Sequence, residues 1–184
     1  MKKALISLLL TLCLALAPLT ALADAARIES LEYKGFGVLE LEFTKDCDWY
    51  ASANLALSDA QGAVLSHIVI GGEEDNCYLR AEALQPEENY VLAFSLEGVE
   101  QEIPFQCVSG VEYKIGKDGE VAARTDDEDC ANCSAVGHDE EFCPERIDAA
   151  ALPEDPDALA RIFDIDRCDD CGGIGHDDDH CPNR

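Results

Sequence analysis

The sequence predicts an all-β sandwich followed by a small cysteine-rich tail, and three observations carry that reading. Between Arg27 and Gly110 apolar and polar residues alternate over short runs, the period of strands with one buried face. From residue 125 to 184 the chain holds 19 acidic residues, four arginines and six of its 10 cysteines, with few apolar side chains to close a core. Within that tail, one pattern of cysteines and histidine occurs twice.

The first 23 residues, "MKKALISLLLTLCLALAPLTALA", join two lysines, an apolar run, a helix-breaking Pro18 and an A-x-A site at Ala21 to Ala23. This is the pattern of a cleaved secretory signal peptide, so the chain is expected to be secreted or extracytoplasmic, with cleavage near Ala23. The apolar run from Ala4 to Ala17 is shorter than the ~20 residues a membrane span needs, and no later stretch is apolar enough to be one. Without Lys2 and Lys3 the mature chain keeps 11 basic against 39 acidic residues, a net charge of −28. Such a charge opposes nucleic acid and anionic lipid as partners and leaves neutral or basic proteins and metal cations.

Residues 27–113 form the expected sandwich. Strands are expected at "RIESLEYK", "VLELEF", "SANLALSD", "AVLSHIVI", "CYLRAEAL", "YVLAFSL" and "EIPFQCV", with turns at "KGFG", "DAQG", "GGEEDN" and "QPEEN". Seven strands in about 85 residues is the count of an immunoglobulin-like sandwich. In "LQPEENY", Leu84, Pro86 and Tyr90 stand at an L-x-P-x-x-x-Y spacing that resembles the corner entering strand F of fibronectin type III domains. The resemblance implies that the leucine closes strand E and that the tyrosine hydroxyl binds a backbone group upstream. Trp49 lies at the corner between the second and third strands, outside the third strand itself.

On that topology Cys47, ending the second strand, and Cys77, opening the fifth, lie at the same end of neighbouring antiparallel strands. They are expected to form a disulfide in an exported protein, leaving Cys107 buried and free; the other reading is three small core residues. His67 is the domain's only histidine, and no nucleophile or carboxylate stands at a spacing that would make it catalytic. Glu40 and Glu42 alternate with Leu39, Leu41 and Phe43, which marks a solvated strand face. No catalytic residue is assigned, and the protein is expected not to be an enzyme.

After an expected acidic linker at 114–129 comes the repeat. Residues 130–144, "CANCSAVGHDEEFCP", and 168–182, "CDDCGGIGHDDDHCP", share C-x2-C-x4-H-x4-C. The candidate metal ligands are Cys130, Cys133, His138 and Cys143 in one copy and Cys168, Cys171, His176 and Cys181 in the other. Three thiolates and an imidazole suit Zn2+, and four protein ligands leave no open position, so two structural zinc ions are expected. Disulfides alone account poorly for three cysteines per copy and leave the histidines unexplained. The spacing resembles the zinc knuckle of retroviral nucleocapsid proteins, including the glycines before the histidines, Gly137 and Gly175, and Gly172 after Cys171. That family grips nucleic acid with basic residues and with an aromatic residue after the first cysteine. Here those positions hold Ala131 and Asp169, neither copy contains lysine or arginine, and acidic residues including Asp139, Glu140, Glu141, Asp170, Asp177, Asp178 and Asp179 surround the ligands. His180 is read as a surface residue.

Between the copies, at 145–167, "DPDALARIFDID" predicts a short helix with Asp155 as N-cap, Pro156 at its first position, and Leu159, Ile162 and Phe163 on one stripe. The stripe is expected to pack the tail together, or else to meet a partner. The functional expectation is a secreted, non-enzymatic zinc-binding protein acting as an interaction module for an unidentified protein partner. Two alternatives are a nucleic-acid-binding protein and an extracytoplasmic zinc buffer. On metal loss, residues 125–184 are expected to unfold while the front domain stays folded.

Overall fold

The computed structural model describes residues 25–125, 130–133, 138, 140–168, 170–176, 179 and 181–183. The signal peptide expected at 1–23, along with Gly137, Asp139, Asp169, Asp177, Asp178 and His180, lies outside the described residues. Ten strands are described: β1 (Ile28–Gly35), β2 (Val38–Phe43), β3 (Asn54–Asp59), β4 (Val64–Leu65), β5 (Ile68–Gly71), β6 (Asn76–Arg80), β7 (Asn89–Leu96), β8 (Val99–Gln106), β9 (Val111–Ile115) and β10 (Val121–Thr125). One helical turn, α1 (Trp49–Ser52), precedes β3, and one helix, α2 (Pro156–Phe163), lies in the tail. All strand pairs are antiparallel, in two sheets ordered β10-β9-β1-β2-β6-β5 and β4-β3-β7-β8.

The expected β-sandwich is present, and strand alternation builds it. Leu31 from β1, Leu39 and Leu41 from β2 and Leu79 from β6 point inward from the first sheet; Leu57, Leu92, Phe94 and Ile103 meet them from the second. Setting β9 and β10 aside, the partition into β1-β2-β6-β5 and β4-β3-β7-β8 matches the immunoglobulin-type division of strands between two sheets. The corner before β7 has the expected geometry. Tyr90 Oη accepts from the Gln85 amide at 2.9 Å and donates to the Ala83 carbonyl at 3.3 Å, with Leu84 buried beside it. Pro104 sits in β8, an edge strand, where its missing N–H breaks no ladder.

The structure differs from expectation in four places. The run "AVLSHIVI" is two strands: the chain leaves β4 in one sheet and enters β5 in the other, and Ser66 and His67 make the crossing. The sheet continues past residue 113, because β9 pairs with β1 and β10 pairs with β9, so Val121–Thr125 extends it inside the stretch expected as linker. Cys47 and Cys77 are free thiols, not a disulfide. The β2–β6 register sets Leu41 opposite Cys77, and the chain beyond β2 then places the Cys47 amide against the Glu74 carbonyl, so the two cysteines are out of step across the sheet. Cys107 is buried and free, as expected.

The fourth difference concerns the tail, which lies on the sandwich. Val38 and Ile70, on the outward face of β2 and β5, form a second core with Phe142, Ile147, Leu159, Phe163 and Ile165. The Phe142 and Phe163 rings stack with centroids 5.0 Å apart, and Phe36 meets Phe163 at 6.0 Å. The α2 stripe is thus covered by the sheet and by the first cysteine repeat, although Ile162 is only partly buried. Asp155 caps the helix as expected, its carboxylate accepting from the Ala158 amide at 2.8 Å.

The same docking covers the edge of β5. Arg167 donates from Nε and Nη2 to the Ile70 carbonyl, the Gly72 amide donates to the Asp166 carbonyl, and the Gly175 amide donates to the Gly72 carbonyl. Gly71 must lack a side chain, since a Cβ there would stand 2.2 Å from Ile165 Cγ2. Unpaired strand edges invite pairing with other chains, and here tail backbone occupies one.

Candidate metal centres

Each repeat gathers its four candidate ligands. One Sγ from each of Cys130, Cys133 and Cys143 and one imidazole nitrogen of His138 lie within 4.8 Å of one another, and the same holds for Cys168, Cys171, Cys181 and His176. That spread suits four donors about one ion at ~2.0–2.3 Å each. The Nε2 of His138 faces Cys133 Sγ at 3.3 Å and that of His176 faces Cys171 Sγ at 3.2 Å, so Nε2 is the nitrogen turned toward the sulfurs in both copies.

Local backbone explains the convergence. In the second copy the Gly172 amide donates to the Cys168 carbonyl at 2.7 Å, closing the C-x2-C turn, and the Gly173 amide then donates to Cys171 Sγ at 3.3 Å. Gly172 and Gly175 have φ of +68° and +82°, left-handed values that side-chain-bearing residues rarely adopt. In the first copy a 3-10 turn at Glu140–Phe142 leads into Cys143, and Asn132 Nδ2 donates to the Glu140 carbonyl at 3.1 Å, tying the two ends of the loop.

Burial is uneven. Cys130, Cys143, Cys168 and Cys181 are buried, Cys133, His138 and His176 are half-buried, and Cys171 is exposed. The buried sulfurs differ in acidity. Burial acts to raise the Cys130 thiol, but donation from the Cys133 and Asn132 amides and the neighbouring thiols holds it below its ordinary value. Burial raises the Cys168 thiol, and the amides of Cys171 and Asp170 offset that only in part.

The residues fit a metal ion: in each copy three soft thiol donors and one imidazole are gathered closely enough to share one ion. Two Cys3His sites, each able to hold a zinc ion, therefore follow the sandwich. The donor set alone would equally accept another thiophilic divalent ion. His67 joins neither cluster. It lies at the β4–β5 crossing, and its Nδ1 is buried without a hydrogen-bond partner. Glu40 binds the Tyr78 hydroxyl and Lys34 Nζ, while Glu42 binds Ser30 Oγ and Lys114 Nζ, so both belong to ladders on the sheet surface.

Sequence reasoning missed Phe142, Arg167 and Gly71, the residues that seat the centres on the sandwich. A lone aromatic next to a ligand cysteine was a signal for Phe142; Arg167 and Gly71 carry none, because their partners lie about a hundred residues away in the chain. A scan against protein-family models finds no match to the chain, and a search of curated proteins finds no similar protein.

Proposed function

We propose that the protein is a secreted, non-enzymatic interaction module: a fibronectin type III-like sandwich whose edge is fastened by two structural zinc ions in a knuckle-bearing tail. The carrying observation is that each cluster gathers four candidate donors, three Sγ and one imidazole nitrogen, within 4.8 Å of one another, in the segment docked on β5. Zinc bound by Cys130, Cys133, His138 and Cys143, and by Cys168, Cys171, His176 and Cys181, would cross-link loops that own few apolar residues, coupling metal binding to folding. A closed site supplies neither an activated water nor a free coordination position, which supports a structural role over catalysis. Closed Cys3His sites are expected to exchange zinc slowly; slow transfer of zinc to a weak chelator would count against a zinc buffer, and rapid transfer would favour one.

Charge argues against the nucleic-acid reading. Binding of single strands needs cationic groups on phosphate and exposed aromatic faces for bases. The tail has 19 acidic residues against four arginines. Its Phe142 ring is buried against Phe163 and is not offered to a base.

The test is metal content and strand binding of the mature protein purified without chelator or reductant. About two zinc ions per chain and no measurable single-stranded DNA or RNA binding at low salt are expected. Less than half a zinc per chain with oxidised tail cysteines would overturn the structural-metal reading, and micromolar binding that weakens with salt would restore the nucleic-acid one.

A further inference from the structure

Where the second knuckle meets the sandwich, the surface holds a cleft of about 830 Å3 built by both parts. Its floor is apolar: Cys47, Val69 and Ile174 line it, and all three also pack against the main core. Tyr50 forms one wall and is 55% exposed, although its ring is held at 86° to the buried Trp49. Gly175 completes that wall, so close to Tyr50 that a Cβ there would stand 2.6 Å from the tyrosine's Cβ.

The rim is acidic. Asp48, Glu74 and Asp157 border the cleft, and its one guanidinium, Arg167, is already paired with Asp157 at 2.6 Å. Asp48 accepts from the Ala51 amide through one oxygen. An apolar floor beneath carboxylates and an aromatic ring suits a cationic group on an aliphatic stem, and it suits a bare hydrated ion poorly. The net charge of the mature chain gives long-range attraction to the same kind of partner.

We propose that this cleft receives a lysine or arginine side chain from a basic segment of a partner protein. The stem lies on Val69 and Ile174, and the cationic head sits against Tyr50 and the Asp48 carboxylate, with Glu74 adding negative charge to the rim. This rests on the interaction-module reading and names its partner class. It also makes recognition depend on metal, since residues 172–176 of the second knuckle line the cleft.

The probe is an acetylated, amidated peptide of alternating lysine and glycine, titrated by calorimetry into the mature chain at physiological salt. Tyr50→Ala and Asp48→Asn, which keeps an oxygen for the Ala51 amide, are each expected to weaken binding about three- to fivefold. A Glu100→Gln/Glu102→Gln control on β8 removes more charge away from the cleft and is expected to weaken it less than about twofold. Treatment with chelator is expected to abolish the difference between the wild-type chain and Tyr50→Ala. Unchanged binding in both cleft variants, equal weakening by the β8 control, or no binding by the wild-type chain would overturn the proposal. Zinc content read on the same samples reports separately on the structural-metal reading.

Discussion

Phe163 joins three parts of the chain: its own helix, the first cysteine repeat through Phe142, and the outward face of the sandwich beside Val38 and Phe36. Its side chain is 1% exposed, so Phe163→Ala leaves a cavity at that junction. The expected cost is about 3–5 kcal/mol, read as a lower urea midpoint of the metal-loaded protein, and an unchanged midpoint would show that the tail contributes nothing to global stability. Cys107 offers a residue-scale test of burial. Its thiol is pushed up to about 12 from an ordinary 9.0 by desolvation. Below pH 9 both folded and unfolded chains hold the proton; as pH rises toward 12 only the unfolded chain releases it, so stability falls across that window. Cys107→Ala is expected to show a shallower fall in urea midpoint between pH 9 and 11, and identical slopes would refute the assignment.

At the scale of elements, β5 connects the metal centres to the sandwich. Its inner edge pairs with β6, while its outer edge meets Arg167, Asp166 and Gly175 of the tail. The Gly72 amide is a direct reporter, because its partner is the Asp166 carbonyl, two residues before Cys168. Chelation is expected to speed hydrogen exchange at Gly72 by on the order of tenfold or more while Leu41 and Leu79, inside the β2–β6 ladder, stay protected. Equal acceleration at all three would mean that the sandwich unfolds along with the tail. Unchanged exchange at Gly72 would mean that α2 and its apolar contacts hold the edge without metal.

The molecule as a whole has two cores separated by one sheet. The inner core fills the sandwich, and the outer one, centred on Phe163, Leu159, Val38 and Ile70, exists only while residues beyond 138 are in place. Truncation after Thr125 would therefore expose Val38, Ile70 and Tyr78 together with the edge of β5, an apolar face beside an unpaired strand. Sedimentation velocity is expected to show concentration-dependent association of the truncated chain and none of the full mature chain. A monomeric truncation that keeps the full chain's urea midpoint would mean that the outer core is dispensable. Among the described residues no helix is long and apolar enough to cross a membrane.

The two-residue period between Ile28 and Gln106, the turn signals, and the Leu84/Tyr90 corner were enough to specify a sandwich, because strand alternation and local turn chemistry are written in adjacent residues. The repeated ligand spacing was likewise legible, since a C-x2-C turn and a glycine-assisted return are local, and the Asp155–Pro156 start of α2 was legible as a cap. The hairpin of β9 and β10 was readable in principle from "VEYKI" and the "KDG" turn, but the acidic stretch that follows obscured it. Register was not legible: whether Cys47 reaches Cys77 depends on how the loop at Glu74 re-enters the sheet. The seat of the tail was not legible either. Ile165 against Gly71, Arg167 on the Ile70 carbonyl and Phe142 over Phe163 join positions that share no sequence period, and they are selected only when the folded sheet presents an uncovered edge and an apolar outer face for the tail to cover.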